Sequence, residues 1–260
     1  MIDESKPPVI GFWRSLFEPE AGVPPAKEPI HCDAPALRGA EVAAVYCGQR
    51  VGGDFYEFLR VGPSRMLFVL LDAAGLRADT REILVSAQRT FRMCAQEFFS
   101  AQDLNETTAM IRLCEGMNHT ILRGGLRSCP GFIGCYNEDL GTVCYANAGH
   151  TPGLLRDKTG ITLLEATGLP LGLFSHTTQS ASTCHLVPGA ALIAVSRGIV
   201  EAGFEGEEFG LDRVQESFQK VPALRAREVC VGLLEAAQEF SQKPLTHNDA
   251  TAVALVRMEG

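Results

Sequence analysis

The order of its secondary-structure patterns constrains the fold of this chain most. Strand patterns come first, as EVAAVYC, GDFYEFLRV and MLFVLLD. Two helical patterns follow, then a series of short strand patterns from residue 131, two further helical patterns over 211–219 and 225–241, and a closing strand in DATAVALVRM. This order lacks the regular alternation of βαβ units, so it predicts largely antiparallel sheets with helices layered outside them, an α+β sandwich.

The first two helices have matching patterns. Apolar residues recur at spacings of three and four over 84–98 and again over 110–121. An acidic residue with a glutamate three positions later precedes each stripe, at Asp79 and at Asp103, which is the spacing of a capping box. We therefore expect the helices to begin near Asp79 and Asp103.

Composition divides the chain into a tail and a domain. Residues 1–34 are rich in proline and lack a sustained period, so they are expected to form a tail or linker, with the folded domain over 35–260. The tail contains VIGFWRSLF with the single tryptophan, which is either a short docking segment or a partly ordered extension lying on the domain. The formal net charge of -8 argues against nucleic acid as a partner.

Cysteine usage and hydropathy indicate the compartment. The nine cysteines are scattered without a C-x-x-C pair, which favours buried apolar thiols in a reducing environment. No apolar run reaches the ~18 residues of a membrane-spanning helix, and the acidic N-terminus lacks the basic region of a signal peptide. These features predict a cytoplasmic protein without a transmembrane segment.

Two aspartates lie at strand ends in this pattern. Asp54 follows Gly52-Gly53 at the start of one strand, and Asp72 ends the next. Antiparallel strands joined by a short connection would bring both carboxylates to the same end of a sheet. Converging carboxylates with nearby backbone carbonyls suit Mg²⁺ or Mn²⁺. The alternative from spacing alone is that each acid merely caps a turn.

Six motifs in register resemble one known family. VGGDFYEF, LLDAAG, YANAGHTPGLL, TGLPLGLF, SRGIVEAGFEGEEFGLDRV and NDATAVALVR look like the SpoIIE/RsbU-type branch of the metal-dependent protein phosphatases, the PPM family, across residues 35–259. The resemblance implies a four-layer αββα sandwich. It also implies a serine/threonine phosphatase that acts on a phosphoprotein, commonly an anti-sigma-factor antagonist, and that uses two Mn²⁺ or Mg²⁺ ions.

The resemblance assigns metal ligands position by position. Asp54 matches the first aspartate, Asp72 matches the one that bridges both ions, and Ala73 matches the residue that lends a backbone carbonyl. The two remaining acidic positions are altered, because Arg197 and Asn248 occupy them. His150, in the motif NAGHTP, is expected to be a structural residue of a turn.

These two changes remove negative charge from the site. Four carboxylates would carry -4, whereas two carboxylates and one arginine carry -1. A divalent ion ~4 Å from an arginine meets roughly 8 kcal/mol of repulsion at an effective dielectric constant of ~20. We therefore expect one ion site to be lost and at most one kept. Either Arg197 forms a bidentate pair with Asp72, or Arg197 points outward and Glu201 or Asp249 fills the gap.

The family resemblance and the two altered acidic positions lead to two candidate functions and a weaker third. The first is a pseudophosphatase with a degenerate dimetal site that binds a phosphoprotein or regulatory partner. The alternative is an active Mn²⁺- or Mg²⁺-dependent phosphoserine/phosphothreonine phosphatase in a bacterial sigma-factor or similar partner-switching pathway. The third is a purely structural domain, against which the retained Asp54 and Asp72 count. The oligomeric state is left open.

Overall fold

The computed structural model describes residues 33–48, 53–73, 75, 77–125, 128–176, 179–222, 225–242, 245 and 249–259. The expected tail therefore lies outside the described residues up to position 32, and Asn248 lies outside them as well.

Strands and helices make up nearly equal shares of the described chain, and the helices form two groups along it. The strands are β1 (Ala40–Cys47), β2 (Gly53–Val61), β3 (Arg65–Ala73), β4 (Gly131–Asn137), β5 (Thr142–Ala148), β6 (Gly153–Asp157), β7 (Gly160–Leu164), β8 (Ser182–His185), β9 (Ala191–Val195), β10 (Gly203–Phe204), β11 (Glu207–Glu208) and β12 (Ala250–Arg257). The helices are α1 (Arg77–Phe99), α2 (Glu106–Arg123), α3 (Arg197–Val200), α4 (Gly210–Lys220) and α5 (Ala226–Ser241).

Two five-stranded antiparallel sheets form the centre of the fold. One has the order β2-β3-β4-β5-β8, and the other has the order β1-β12-β9-β6-β7. Helices α1 and α2 pack outside the first sheet, while α5 packs on β1 and β12 of the second with α4 beside it. The predicted α+β architecture, a four-layer αββα sandwich, is confirmed.

Strand alternation separates three layers of core. In β3 the odd-numbered side chains, such as Leu67 and Leu71, pack under α1 and α2, whereas even-numbered ones, such as Phe68, fill the space between the sheets. Phe132 stacks between Phe68 and Tyr145 in that middle layer, with ring centroids 6.2 and 5.6 Å apart. Whether a residue of β3 has an even or an odd number therefore decides which layer its side chain faces. The space between the two sheets, into which Phe68 and Phe132 project, is called the seam below.

Both helix starts differ from the capping-box expectation. Helix α2 begins at Glu106, and its N-cap is Asn105, whose side chain accepts a hydrogen bond of 2.9 Å from the Thr108 amide. Helix α1 begins at Arg77, which places Asp79 inside its first turn. Neither acid is therefore the N-cap, because Asn105 caps α2 two residues after Asp103 and α1 already begins before Asp79. A neighbouring residue can start the same helix when it suits the incoming chain.

The cysteine and hydropathy expectations can be compared with the described residues. Eight described cysteines are free thiols, and six of these are buried, namely Cys94, Cys114, Cys129, Cys135, Cys144 and Cys230. Among the helices that the structure describes, none is both long enough and apolar enough to cross a membrane.

Candidate functional site

The candidate site lies where both sheets end side by side. Asp54 is the second residue of β2 and is paired directly with Asp72 near the end of β3, so the two carboxylates lie on the same sheet face. Their parity turns them toward the seam between the sheets. Ser196, just after β9, and Thr251, in β12, reach the same seam from the opposite sheet. The predicted convergence of Asp54 and Asp72 is therefore present.

Arg197 turns into the seam and pairs with Asp72. Its Nε donates to Asp72 Oδ2 at 2.8 Å, its Nη2 donates to Asp72 Oδ1 at 2.9 Å, and its backbone amide donates to Oδ2 at 3.2 Å. The bidentate alternative for Arg197 thus describes the structure, and the outward-pointing alternative is wrong. Fork-to-fork pairing of this kind is the strongest geometry available to an arginine and a carboxylate.

Burial and charge have opposite effects on Asp72. Its side chain is 7% exposed, whereas that of Arg197 is 46% exposed. Burial alone would raise the pKa of Asp72, but the hydrogen bonds and positive charge of Arg197 outweigh it and lower the pKa below its usual value. The hydrogen bond to Asp72 in turn raises the pKa of Arg197. Asp72 is therefore an ionised, buried carboxylate neutralised by an arginine.

Among the residues that the structure describes, no arginine forms an ion pair with Asp54. Its Oδ2 accepts a hydrogen bond of 2.7 Å from the Thr251 hydroxyl. Burial, followed by the negative charge of Asp72, raises the pKa of Asp54 to about 7, although hydrogen bonds from Ser196 and Thr251 act in the opposite direction. Asp54 therefore gains most from a positive charge in the seam, because Arg197 is already engaged with Asp72.

The junction of β9, α3 and β12 fixes the position of Arg197. The Ser196 amide donates to the Thr251 carbonyl at 2.9 Å, and the Thr251 amide donates to Ser196 Oγ at 2.9 Å. Position 198, two residues after Ser196, must be glycine, because a Cβ there would lie 2.0 Å from the carbonyl oxygen of Asp249. This close approach sets the first turn of α3 against β12, so Arg197 projects over Asp72.

A space beside the Ala73 carbonyl bears on whether a metal ion fits. A Cβ at Gly53 would lie 2.3 Å from the Ala73 carbonyl oxygen, so only glycine at position 53 leaves the space beside that oxygen unfilled. Asp54 Oδ1, the Ala73 carbonyl and the remaining acceptor capacity of Asp72 are hard oxygen donors of the kind that Mg²⁺ and Mn²⁺ bind. The residues present are compatible with one ion at this position.

A second ion does not fit the residues present. Both oxygens of Asp72 already accept hydrogen bonds from Arg197, and the guanidinium brings positive charge to the place where a second cation would need a shared carboxylate. Within the described residues, no group of three or more histidine, cysteine or acidic side chains is arranged to hold a metal.

The other candidate ligands occupy different places. Asp249 is buried and accepts a short hydrogen bond from the Tyr46 hydroxyl. Glu201 is exposed and forms the C-cap of α3, where it interacts with Arg197 through charge. Asn248 lies outside the described residues. Tyr46, Ser196 and Thr251 were missed by the sequence reasoning, although the last two lie inside the quoted motifs SRG and NDAT.

His150 borders the site from the β5–β6 connection. Its amide donates to Asn147 Oδ1 at 2.8 Å, and its Nδ1 lies 3.0 Å from the Thr151 hydroxyl. Burial lowers its pKa, so the imidazole is neutral, and it senses the charges of both Asp72 and Arg197. These contacts hold the turn where the chain crosses between the sheets, which agrees with the structural role expected for His150.

Curated relatives match parts of the chain. Phosphoserine phosphatase RsbU of Bacillus subtilis is 27% identical over 128 residues, covering 48% of this chain and 38% of RsbU. Protein IcfG of a Synechocystis strain is 31% identical over 88 residues, covering 33% of this chain and 14% of IcfG. The matched region thus spans less than two fifths of either relative.

Fold and family comparisons agree with each other. The structure of the RsbU and RsbW domains of Rv1364c from Mycobacterium tuberculosis superposes with a TM-score of 0.70 at 20% identity, covering 89% of this chain and 63% of that one. The sequence model of the family described as stage II sporulation protein E (SpoIIE) matches residues 62–258. The chain therefore belongs to the SpoIIE family, in the SpoIIE/RsbU-type branch of the metal-dependent protein phosphatases.

Proposed function

We propose that this phosphatase-type domain is a pseudophosphatase that binds a phosphoprotein or regulatory partner. The observation that carries the proposal is the bidentate contact of Arg197 with both oxygens of the buried Asp72. An arginine cannot give up its proton at any physiological pH, so this pair persists wherever the fold does. It neutralises Asp72 in the way a cation would, but it offers no exchangeable ligand position.

The proposed loss of turnover follows from the chemistry of the reaction class. A pair of metal ions supplies an activated water and neutralises charge on the transferring phosphoryl group. Among solved structures of this fold, the PstP catalytic domain is in complex with two manganese ions and RsbX is in complex with magnesium. Here Arg197 already donates to both oxygens of Asp72, which leaves acceptor capacity for one ion at most, and Asn248 supplies no charge.

The same arginine supports a binding role. Its side chain is 46% exposed, and in the part of the chain that the structure describes its Nη1 makes no hydrogen bond. An exposed guanidinium nitrogen held rigidly by Asp72 is suited to a phosphate or carboxylate group of a partner. Partners of the anti-sigma-antagonist class are proposed because RsbU and RsbW domains occur together in the Rv1364c structure.

One observation favours the alternative of an active phosphatase. Asp54, Asp72 and the carbonyl of Ala73, beside which Gly53 leaves space, are oxygen donors compatible with one Mn²⁺ or Mg²⁺ ion. If such an ion supported hydrolysis on its own, the domain would turn over a phosphoserine or phosphothreonine substrate.

Manganese titration separates the two functions. Calorimetry with Mn²⁺ and turnover of a phosphoserine peptide are measured on the wild type, on an Arg197→Asp/Asn248→Asp double variant, and on Lys158→Asp. Lys158 is a matched control for lost positive charge, because its side chain is 83% exposed in the β6–β7 turn. We expect the wild type to bind one ion at most and to show no turnover, whereas the double variant gains a second ion and turnover.

Two results would contradict the proposal. If the wild type binds two ions and hydrolyses the peptide, Arg197 does not pair with Asp72 in solution, and the proposal is wrong. Wild-type protein that binds one ion and hydrolyses the peptide would establish the active alternative. The Lys158→Asp variant should match the wild type in both measurements.

A further inference from the structure

The apolar segment VIGFWRSLF, residues 9–17, has no part in the function proposed above. We propose that it docks on this chain's own domain, on exposed apolar side chains at the end of the sandwich opposite Asp72. Leu140, Val187 and Met258 form this surface, which is called the entry patch below.

The entry patch consists of large apolar side chains that the domain leaves uncovered. Leu140 is 67% exposed, Val187 41% and Met258 43%. They belong to three different connections, respectively the β4–β5 turn, the segment after β8 and the segment after β12. Single exposed apolar residues are ordinary on protein surfaces, whereas a contiguous group of them is typical of an interaction site.

Hydrogen bonds hold the three connections side by side. The Leu186 amide donates to the Gly141 carbonyl at 2.9 Å, which joins the neighbours of Val187 and Leu140. Arg257 Nη1 donates to the Leu186 carbonyl at 2.8 Å, which joins the neighbour of Met258 to the same pair. These hydrogen bonds bring the three connections together at one end of the sandwich.

The incoming chain passes beside this patch. The Met258 amide donates to the Gly39 carbonyl at 2.9 Å, and Gly39 immediately precedes β1. The chain that enters β1 from the tail therefore passes Met258 at Gly39. A connection of about sixteen residues between positions 17 and 33 spans up to roughly 50 Å when extended, so the segment reaches the patch easily. Such a short tether gives the segment a high effective concentration there.

A second group of exposed apolar residues lies at the other end of the sandwich. Leu169, Leu173 and Phe174 are 48%, 38% and 55% exposed on the loop that bonds to Cys129 through Leu171. Cys129 precedes Pro130, whose carbonyl accepts from the Asp72 amide at 2.9 Å. Nine-residue strands of about 30 Å separate the two ends, so the entry patch is the nearer surface for the tethered segment.

The segment has a pattern that suits docking on an apolar surface. Val9, Phe12, Trp13 and Leu16 occur at positions i, i+3, i+4 and i+7, which is the spacing of one apolar helix face. Trp13 is the single tryptophan of the chain, so its fluorescence reports on this segment alone.

Tryptophan fluorescence of the full-length chain tests the proposal. In the wild type we expect Trp13 emission to be blue-shifted from that of free tryptophan and acrylamide quenching to be several-fold weaker. Val187→Asp combined with Met258→Asp should shift the emission to the red and restore quenching. Leu173→Asp combined with Phe174→Asp is the matched control at the other apolar surface and should leave both signals unchanged.

A second variant, placed in the segment itself, keeps the proposal testable if the patch variant fails to fold. Leu16→Asp lies outside the domain and should release Trp13 while the circular dichroism spectrum stays that of the wild type. Three results would each overturn the proposal: Trp13 that is fully solvent-exposed in the wild type, shielding that only the Leu173/Phe174 variant removes, or shielding that disappears on dilution because the segment docks on a second copy.

Discussion

At the scale of single residues, Asp72 and Arg197 decide the character of the site. Like charges directly opposite each other on neighbouring strands are destabilising, and Asp54 and Asp72 form such a pair. Arg197 relieves this repulsion with two side-chain hydrogen bonds and one backbone hydrogen bond to a carboxylate that is almost completely buried. The arginine therefore has a structural role that does not depend on any bound ion.

The stability of Arg197 variants measures that structural role. Arg197→Ala leaves Asp72 buried without its partner, and we expect a loss of about 1–3 kcal/mol, reduced from the fully buried case because Arg197 is half-exposed. Arg197→Lys keeps the charge but not the bidentate contact, so it should fall between alanine and wild type. Urea denaturation in the presence of EDTA gives these differences.

An exposed ion pair serves as the control for the stability loss expected of Arg197→Ala. Lys158 and Glu259 lie 3.8 Å apart with side chains 83% and 73% exposed, so Lys158→Ala should change stability by less than about 0.5 kcal/mol. Equal effects of Arg197→Ala and Lys158→Ala would show that the buried pair adds nothing to stability.

At the scale of elements, the start of α2 tests how a helix is capped. Asn105 Oδ1 accepts from the Thr108 amide at 2.9 Å, which satisfies one of the free donors of the first turn. We expect Asn105→Ala to lower stability by about 1 kcal/mol and Asp103→Ala to have little effect. Thermal and urea unfolding of both variants provide the measurement, and the reverse order of effects would restore Asp103 as the cap.

At the scale of the whole molecule, a buried carboxylate joins both sheets at the end opposite the site. Glu138, in the β4–β5 turn, accepts from Arg60 on β2 at 2.7 Å and from Arg38, just before β1, at 2.8 Å. Burial alone would raise the pKa of Glu138, but the hydrogen bonds from Arg60 and Arg38 lower it overall. The ionised form is therefore favoured by folding.

This linkage predicts a pH-dependent stability. A carboxylate whose pKa is lowered in the folded state contributes stability above its unfolded value of about 4.3, and this contribution is lost as the pH falls through the folded value. Glu138→Gln should therefore cost about 1–2 kcal/mol at pH 7 and progressively less below about pH 4.3. Urea melts across this range would contradict the linkage if the difference between variant and wild type stayed constant or grew in acid.

Several features of the site could be read from the sequence because they depend on short-range order. Strand parity and a short β2–β3 connection are enough to place Asp54 opposite Asp72. The helical stripes locate α1 and α2, although they leave the exact cap open, since Asp103 and Asn105 are both good N-cap residues and only the path of the incoming chain selects Asn105.

Other features depend on which distant segments meet. Thr251 donates to Asp54 across 197 positions of sequence, and nothing local to either residue indicates that contact. The direction of Arg197 is of the same kind, because the inward and outward rotamers are equally compatible with the motif SRGIVEA. Only the folded position of Asp72 selects the inward rotamer.

The sequence by itself determined the layered α+β architecture and the family, because periodicity and motif spacing are properties of the chain in order. It also places Arg197 and Asn248 where the family resemblance expects acidic residues. Only the tertiary structure decided what Arg197 does. The close approach of Gly198 to the Asp249 carbonyl fixes α3 against β12, and the seam between the sheets then leaves Asp72 as the buried charge that the guanidinium reaches. A buried carboxylate must be neutralised, and in this fold the arginine that begins α3 supplies the opposite charge.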